Sequence, residues 1–382
     1  MKIFETPFRD STVAKFSTAI FTSLLITSAT FLPLIAHLDY FVHAVPVAQG
    51  SPTPQVYDPP PVTSGLYPDP QPCHGNCSWV HDPNIVYEDE IYWRFTTSGN
   101  IAVATARLLE GPWTYRGALL HNGTRIHLRD DQDIWAPSIT KRYKTYYCHY
   151  SVSFMGSQHS EIGVATSHSL EPGTWTDHGS IGLPQNAHYN LIDPYVYQDS
   201  PDQPSYFTFG SYWTGIQQIE MDSHEQLVSW GGREVDINNI ISNTTANFAV
   251  QEGAVTFKNE KFYYIFFSVG QCCRLERELV PPGDEYHVVV CRAEKITGPY
   301  FDKQGKNCLT ENGGTTILAS HGDIYAPGGQ GVMLDPKTEK TVMYYHYVVR
   351  PSVGYGAEQF FFGFNYLEWV DGWPVLVADI HI

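Results

Sequence analysis

Three carboxylates stand at corresponding points of a pattern that recurs along this chain: Asp82, Asp193 and Glu252. Asp82 opens the run DPNIVYEDEIYWRF, Asp193 opens DPYVYQDSPDQPSYFTFG, and Glu252 opens EGAVTFKNEKFYYIFFS. Two further runs repeat the order of turn former, apolar strand, polar break and aromatic strand without the acid. They are APSITKRYKTYYCHYS from Ala136 and GGQGVMLDPKTEKTVMYYHY from Gly328. Carboxyl groups gathered from distant parts of a chain suit acid–base work, because their surroundings can keep one protonated and another ionised. Breaking a glycosidic bond needs that division: an acid protonates the leaving oxygen while a carboxylate on the opposite face activates water. In the inverting version the pair stands about 6.5–9.5 Å apart to admit the water. A third carboxylate close by keeps the acid protonated through like-charge repulsion. Asp-Pro also starts ordinary turns, which accounts for Asp82 and Asp193 singly but not for Glu252 at the same register with Gly253 after it.

The elements that must position these groups follow from the repeat. Its spacing of roughly sixty residues marks an array of supersecondary units. Each opening run is followed by a second half, such as NIAVATARLLEGPWTYRG from Asn100 and EIGVATSHSLEPGTWTDHG from Glu161, so each unit reads as four short strands. Aromatic residues make up 14 % of the chain, and 31 Gly and 26 Pro punctuate it, which favours strands joined by turns. The expected class is all-β, a five-bladed β-propeller. A β-sandwich would hold the strands but not explain the repeat. The innermost strands of a propeller line its channel, so Asp82, Asp193 and Glu252 are expected at one mouth. Trp135, Phe154, Tyr212 and Trp213 fall on or near those strands and suit platforms for sugar rings, although most aromatics here must be core.

The rest of the chain bounds the function. A net charge of −17 argues against nucleic acid or an anionic membrane surface as partner. No Ser-His-Asp triad, phosphate loop or nucleotide fingerprint is found. Residues 1–44 read as a signal peptide: Lys2, Arg9 and Lys15 precede an apolar run from Phe16 to Ala36, and Val42-His43-Ala44 offers a cleavage site. A signal anchor holding the protein to a membrane is the competing account of that run. Residues 45–72 form a Pro-rich linker, and 73–382 hold the propeller domain. Sequons at Asn76, Asn122 and Asn243 fit a secreted glycoprotein. Seven cysteines leave an odd thiol, and proximity pairs Cys73 with Cys77 and Cys291 with Cys308. No C-x-x-C pair has a partner pair, so zinc is not expected.

The segments HDPNI at His81, DIWAPSI at Asp133, NLIDPYVY at Asn190, GSYWTGIQQIE at Gly210, QEGAVTF at Gln251, SVGQCCR at Ser268, ITGPYFDKQG at Ile296 and YAPGGQGV at Tyr325 follow one another along the chain. Together they resemble glycoside hydrolase family 43, and within it the arabinanases that cut α-1,5-linked arabinan. Carried onto this chain, the resemblance implies Asp82 as general base, Asp193 as the group that tunes and orients the acid, and Glu252 as general acid, with inversion of configuration. It implies a neutral plant cell-wall polysaccharide as partner and a monomeric enzyme. It also implies a vicinal disulfide between Cys272 and Cys273 beside the cleft, on which a sugar could rest. The charged stretch RLERELVPPGDE after that pair departs from the family pattern and bears on endo- against exo-action. Family members hold an ion in the channel, with a histidine after a Pro-Gly in the last opening segment. Here Pro327-Gly328-Gly329-Gln330 replaces it, leaving His321 as the candidate imidazole and calcium as the implied ion. The alternatives are a β-xylosidase or α-L-arabinofuranosidase of the same family, or a non-catalytic carbohydrate-binding propeller.

Overall fold

The computed structural model describes residues 66–200, 202–221, 234–242, 250–273, 280–349 and 359–378. The signal segment, most of the linker, the Asn243 sequon and part of the charged stretch after Cys273 lie outside them. The described residues belong to one compact unit, Asp58–Ile382.

They form five antiparallel four-stranded sheets, each contiguous in sequence. Blade 1 comprises β1 (Asn84–Glu88), β2 (Ile91–Thr96), β3 (Ala102–Ala106) and β4 (Thr114–Ala118). Blade 2 comprises β5 (Asp133–Arg142), β6 (Thr145–Ser153), β7 (Glu161–Ser167) and β8 (Thr176–Ser180). Blade 3 comprises β9 (Tyr195–Gln198), β10 (Ser205–Phe209), β11 (Ile216–Met221) and β12 (Asn238–Ile241). Blade 4 comprises β13 (Gln251–Asn259), β14 (Phe262–Val269), β15 (His287–Ala293) and β16 (Thr315–Leu318). Blade 5 comprises β17 (Ile324–Leu334), β18 (Thr341–Val349), β19 (Phe361–Val370) and β20 (Trp373–Val377). This is the expected five-bladed β-propeller.

The core lies between the blades. Alternate side chains leave opposite faces of a strand, so each sheet offers an apolar face to both neighbours. Blades 1 and 2 share a layer including Phe95, Val103, Tyr150 and Val152, and blades 2 and 3 one including Val164, Ile181, Phe207 and Phe209. Blades 3 and 4 pack through Ile216, Ile241, Ile265 and Phe267, and blades 4 and 5 through Phe266, Val290, Met343 and Tyr345. The ring is closed by side chains of the first and last blades: Val80, Ile85 and Tyr92 against Val342, Tyr344, Phe362 and Phe364. Backbone bonds from Gln71 N to Phe364 O (2.9 Å) and from Phe362 N to Cys77 O (2.8 Å) reinforce that seam. The buried Arg94 guanidinium lies over the Trp113 and Phe362 rings there and donates to Asn76 O at 2.6 Å.

Disulfides join Cys73 to Cys77, Cys272 to Cys273 and Cys291 to Cys308, and Cys148 is a buried free thiol. All three expected pairings are therefore present.

Candidate active site

The five inner strands enter the channel through one repeated device. At the same level of each blade a residue takes a left-handed backbone: Asp82 (φ 44°), Ala136 (46°), Asp193 (56°), Gly253 (63°) and Gly329 (57°). Pro83, Pro137 and Pro194 follow the first three, and a residue before proline is steered away from the right-handed helical region. β5, β13 and β17 bulge at this level, a common means of re-aiming side chains beside a site. Each of the five residues, with the two that follow it, lines one small open cavity at the channel mouth.

This register corrects the sequence alignment in one respect. Gly253, not Glu252, occupies the position of Asp82 and Asp193. Glu252 stands one place earlier, where the other blades carry His81, Trp135, Ile192 and Gly328. The short aspartates need the left-handed turn to present their carboxyl groups at the mouth. Glu252, one place earlier, turns its carboxyl to Tyr286 and Ser211 instead.

The carboxylates have unlike surroundings. His81 Nδ1 lies 2.8 Å from Asp82 Oδ2, which also accepts from Thr97 Oγ1 at 2.7 Å. The Asp82 amide donates to His346 Nδ1 at 3.0 Å. Burial alone would raise the Asp82 carboxyl, but the charge and hydrogen bond of His81, with the Thr97 hydrogen bond adding, hold it well below the usual carboxylate range. Glu252 is 8 % exposed. Its Oε1 accepts from Tyr286 OH at 2.9 Å and its Oε2 from Ser211 Oγ. Burial raises its pKa; those two bonds oppose the rise and the Asp82 charge adds to it. Asp193 Oδ2 accepts from Gly253 N at 3.0 Å, while Asp193 N donates to Ser151 Oγ at 2.9 Å. Burial, then the charges of Glu252 and Asp82, push Asp193 well upward. Asp193 and Glu252 thus retain a proton between them where an ordinary carboxyl would have lost it. One site therefore holds one carboxyl whose pKa is lowered beside two whose pKa values are raised, the division that acid–base hydrolysis uses.

Four polar groups that fix this arrangement escaped the sequence analysis: Thr97, Ser211, Tyr286 and His346. Ser211 sits beside Tyr212 in a quoted motif, and His346 interrupts an otherwise aromatic strand, so each left a faint signal. His346 is fully buried, kept neutral by that burial and by His81, and stacked on His81 at 3.9 Å between ring centres. Two glycines make room for these groups. A Cβ on Gly328 would lie 2.0 Å from the Tyr286 ring, and one on Gly329 would lie 2.5 Å from both Asp82 Oδ1 and His346 Cε1. Gly329→Ala is accordingly expected to displace Asp82 and lower kcat by about 10–100-fold, the usual effect of misplacing a reacting group by an ångström. Steady-state kinetics with a circular-dichroism check on folding would test it, and an unchanged kcat would refute the account.

The aromatic candidates reach the same face. Every inner strand starts at the mouth, so the connection between the second and third strands of each blade returns to it. Phe154, Tyr212 and Trp213 lie in these connections, and Trp135 lies on β5 beside Ala136. Arg129 covers the Phe154 ring at 4.3 Å, whereas Tyr212 and Trp213 are exposed and set edge to face, 6.0 Å apart. The Cys272–Cys273 pair occupies the blade 4 connection, and Cys272 packs against the cluster that contains Tyr286.

His321 does not line the cavity that Asp82 and Asp193 share. It lies between β16 and β17, its Nδ1 2.8 Å from Ala319 O and its Nε2 3.7 Å from Asp69 Oδ1. The Gln330 amide is engaged by Ser268 Oγ (2.6 Å) and Gly253 O (2.7 Å), and Asn84 Oδ1 by the Ile139 amide. Among the described residues, the three-residue set able to hold a metal is His81, Asp82 and His346. Two imidazoles and one carboxylate do not suit calcium, which takes six to eight oxygens. The residues present therefore do not fit a calcium ion anchored by His321.

Comparison with known proteins agrees with the fold and gives the family. The profile of glycosyl hydrolases family 43 matches residues 60–374. Arabinan endo-1,5-alpha-L-arabinosidase A of Aspergillus aculeatus is 43 % identical over 323 residues, covering 83 % of this chain and 97 % of that protein. Arabinan endo-1,5-alpha-L-arabinosidase C of Emericella nidulans is 42 % identical over 313 residues, covering 81 % and 94 %. The solved endo-arabinanase from Bacillus licheniformis superposes with a TM-score of 0.66 at 26 % identity, covering 80 % of this chain and 99 % of its own. An exo-1,5-alpha-L-arabinanase from a bovine ruminal metagenomic library gives 0.66 at 25 % identity, covering 82 % and 98 %. With its five blades, its paired acid and base environments and these relatives, the chain belongs to glycosyl hydrolases family 43.

Proposed function

We propose that this protein is an exported glycosidase that hydrolyses α-1,5-linked L-arabinofuranosyl bonds within arabinan, with inversion at the anomeric carbon. The observation that carries the proposal is the opposite electrostatic setting of Asp82 and Glu252 at one mouth. Asp82, kept ionised by His81, takes a proton from the attacking water. Glu252, whose pKa burial raises, gives its proton to the leaving oxygen. Asp193 accepts from the Gly253 amide next to the acid and is coupled to it, so the pair shares its protons. The named activity of the fungal relatives supports the linkage, and the apolar segment in residues 1–44 supports export.

Purified protein incubated with linear α-1,5-arabinan and, separately, with xylan tests this function. A ladder of arabino-oligosaccharides from arabinan alone is expected, with inverted anomers seen by proton NMR before mutarotation. Activity confined to xylan would refute the substrate, and retained configuration would refute the mechanism. Arabinose alone would mark exo-action. No step of this mechanism passes through a metal, so kcat is expected to survive a chelator within about twofold. A larger loss restored by calcium would reveal an ion held by groups other than His321.

Asp193→Asn is expected to lower kcat and to move the alkaline limb of the pH–rate profile downward. With no second carboxyl to share a proton with, Glu252 titrates alone and completes its proton loss at lower pH. An unmoved limb would remove Asp193 from the tuning of the acid.

A further inference from the structure

The connections that return blades 2, 3 and 4 to the mouth present Phe154, the Tyr212–Trp213 pair and the Cys272–Cys273 disulfide. The corresponding turn of blade 1 is Thr97–Ile101, whose first four residues are small and polar and whose last is buried. It offers no flat apolar surface. Trp79, from the segment leading into β1, is 64 % exposed.

That exposure is built into the backbone. Cys77 O accepts from Phe362 N, Val80 N donates to Phe360 O at 3.1 Å, and Ser78 bridges Phe361. These contacts pin the segment to the mouth end of β19, and the Cys73–Cys77 disulfide closes the turn before it. Val80 takes the buried place in the seam between blades 5 and 1. Trp79 itself has φ 64°, a conformation that bulky residues rarely adopt and that clusters at functional positions. Tyr212 (φ 53°) and Trp213 (φ 39°) are exposed in the same conformation on blade 3. In a ring of five, blade 3 faces the junction of blades 5 and 1. Exposed aromatics are therefore held on opposite sides of a mouth whose carboxylates lie between them. Trp79 is three residues from Asp82, so their Cα atoms are within about 11 Å.

We propose that Trp79 is a sugar-binding platform, stacking on an arabinofuranosyl unit remote from the bond being cut and so favouring long substrates. The proposal rests on the arabinan reading above. Its test is the ratio of kcat/KM on linear α-1,5-arabinan to that on arabinotriose, measured for wild type, Trp79→Ala and Trp79→Phe. A trimer spans few subsites, whereas the polymer can reach the junction of blades 5 and 1. The ratio is expected to fall about tenfold in Trp79→Ala, the scale of one well-placed aromatic contact, and to stay within about twofold in Trp79→Phe. An unchanged ratio in Trp79→Ala, or an equal loss on both substrates, would overturn the platform while leaving the arabinan function standing. A wild-type enzyme inert on both substrates would overturn the two together.

Discussion

Glu252→Gln is expected to reduce kcat on linear arabinan by about 10²–10⁴-fold, the range of a general acid, while the protein stays folded. The amide has the shape of the carboxylic acid, its oxygen can accept from one of the two hydroxyls of Tyr286 and Ser211 and its NH2 can donate to the other, so the pocket has no reason to collapse. It cannot deliver a proton to the departing sugar oxygen. The discriminating measurement uses an aryl α-L-arabinofuranoside whose leaving group departs without protonation. On that substrate the loss should shrink to less than about tenfold, because the chemistry no longer asks for the acid. A near-normal kcat on arabinan would remove Glu252 from that role. An equal loss on both substrates would make it a binding residue.

Asp82→Asn is expected to show the opposite pattern: a loss of about 10⁴-fold that persists with the activated substrate, because water must still be deprotonated whatever the leaving group. The wild-type pH profile should be correspondingly broad. Asp82 is inactive only when protonated, and His81 and Thr97 hold that event well below the usual carboxylate range, so the acid limb falls low. Glu252 is inactive only when ionised, and burial delays that event, so the alkaline limb falls high. In Asp82→Asn the charge that helps raise Glu252 is gone, so the alkaline limb of the residual activity should move down. Recovery of most of the rate on the activated substrate would contradict the base assignment.

Both predictions depend on contacts between distant parts of the chain, and that governs how much the sequence could reveal. The propeller was legible because its cause is local and repeated: a turn former, an apolar strand and an aromatic strand recur five times, and each blade is contiguous in sequence. The carboxylates were legible because the repeat aligned them, although it placed Glu252 one residue out of register. A sequence pattern does not show which residue takes the left-handed turn, and there Gly253 rather than Glu252 has the backbone freedom. The disulfides Cys73–Cys77 and Cys291–Cys308 were legible from proximity alone.

What sets the proton positions was not legible. Tyr286 lies 34 residues from Glu252, Ser211 lies 41 residues away, and His346 is separated from Asp82 by 264. No local pattern marks such pairs. His321 looked like a ligand because it lies near the last opening segment, yet the chain turns it against Ala319 and Asp69 while His346 enters from β18. The sequence by itself determined the blade, its number of copies and the acids each copy could offer, since those follow from short-range periodicity and turn chemistry. Only the tertiary structure decided which acid is ionised and which keeps its proton. That depends on burial and on charges a few ångströms away, and both arise when the ring closes.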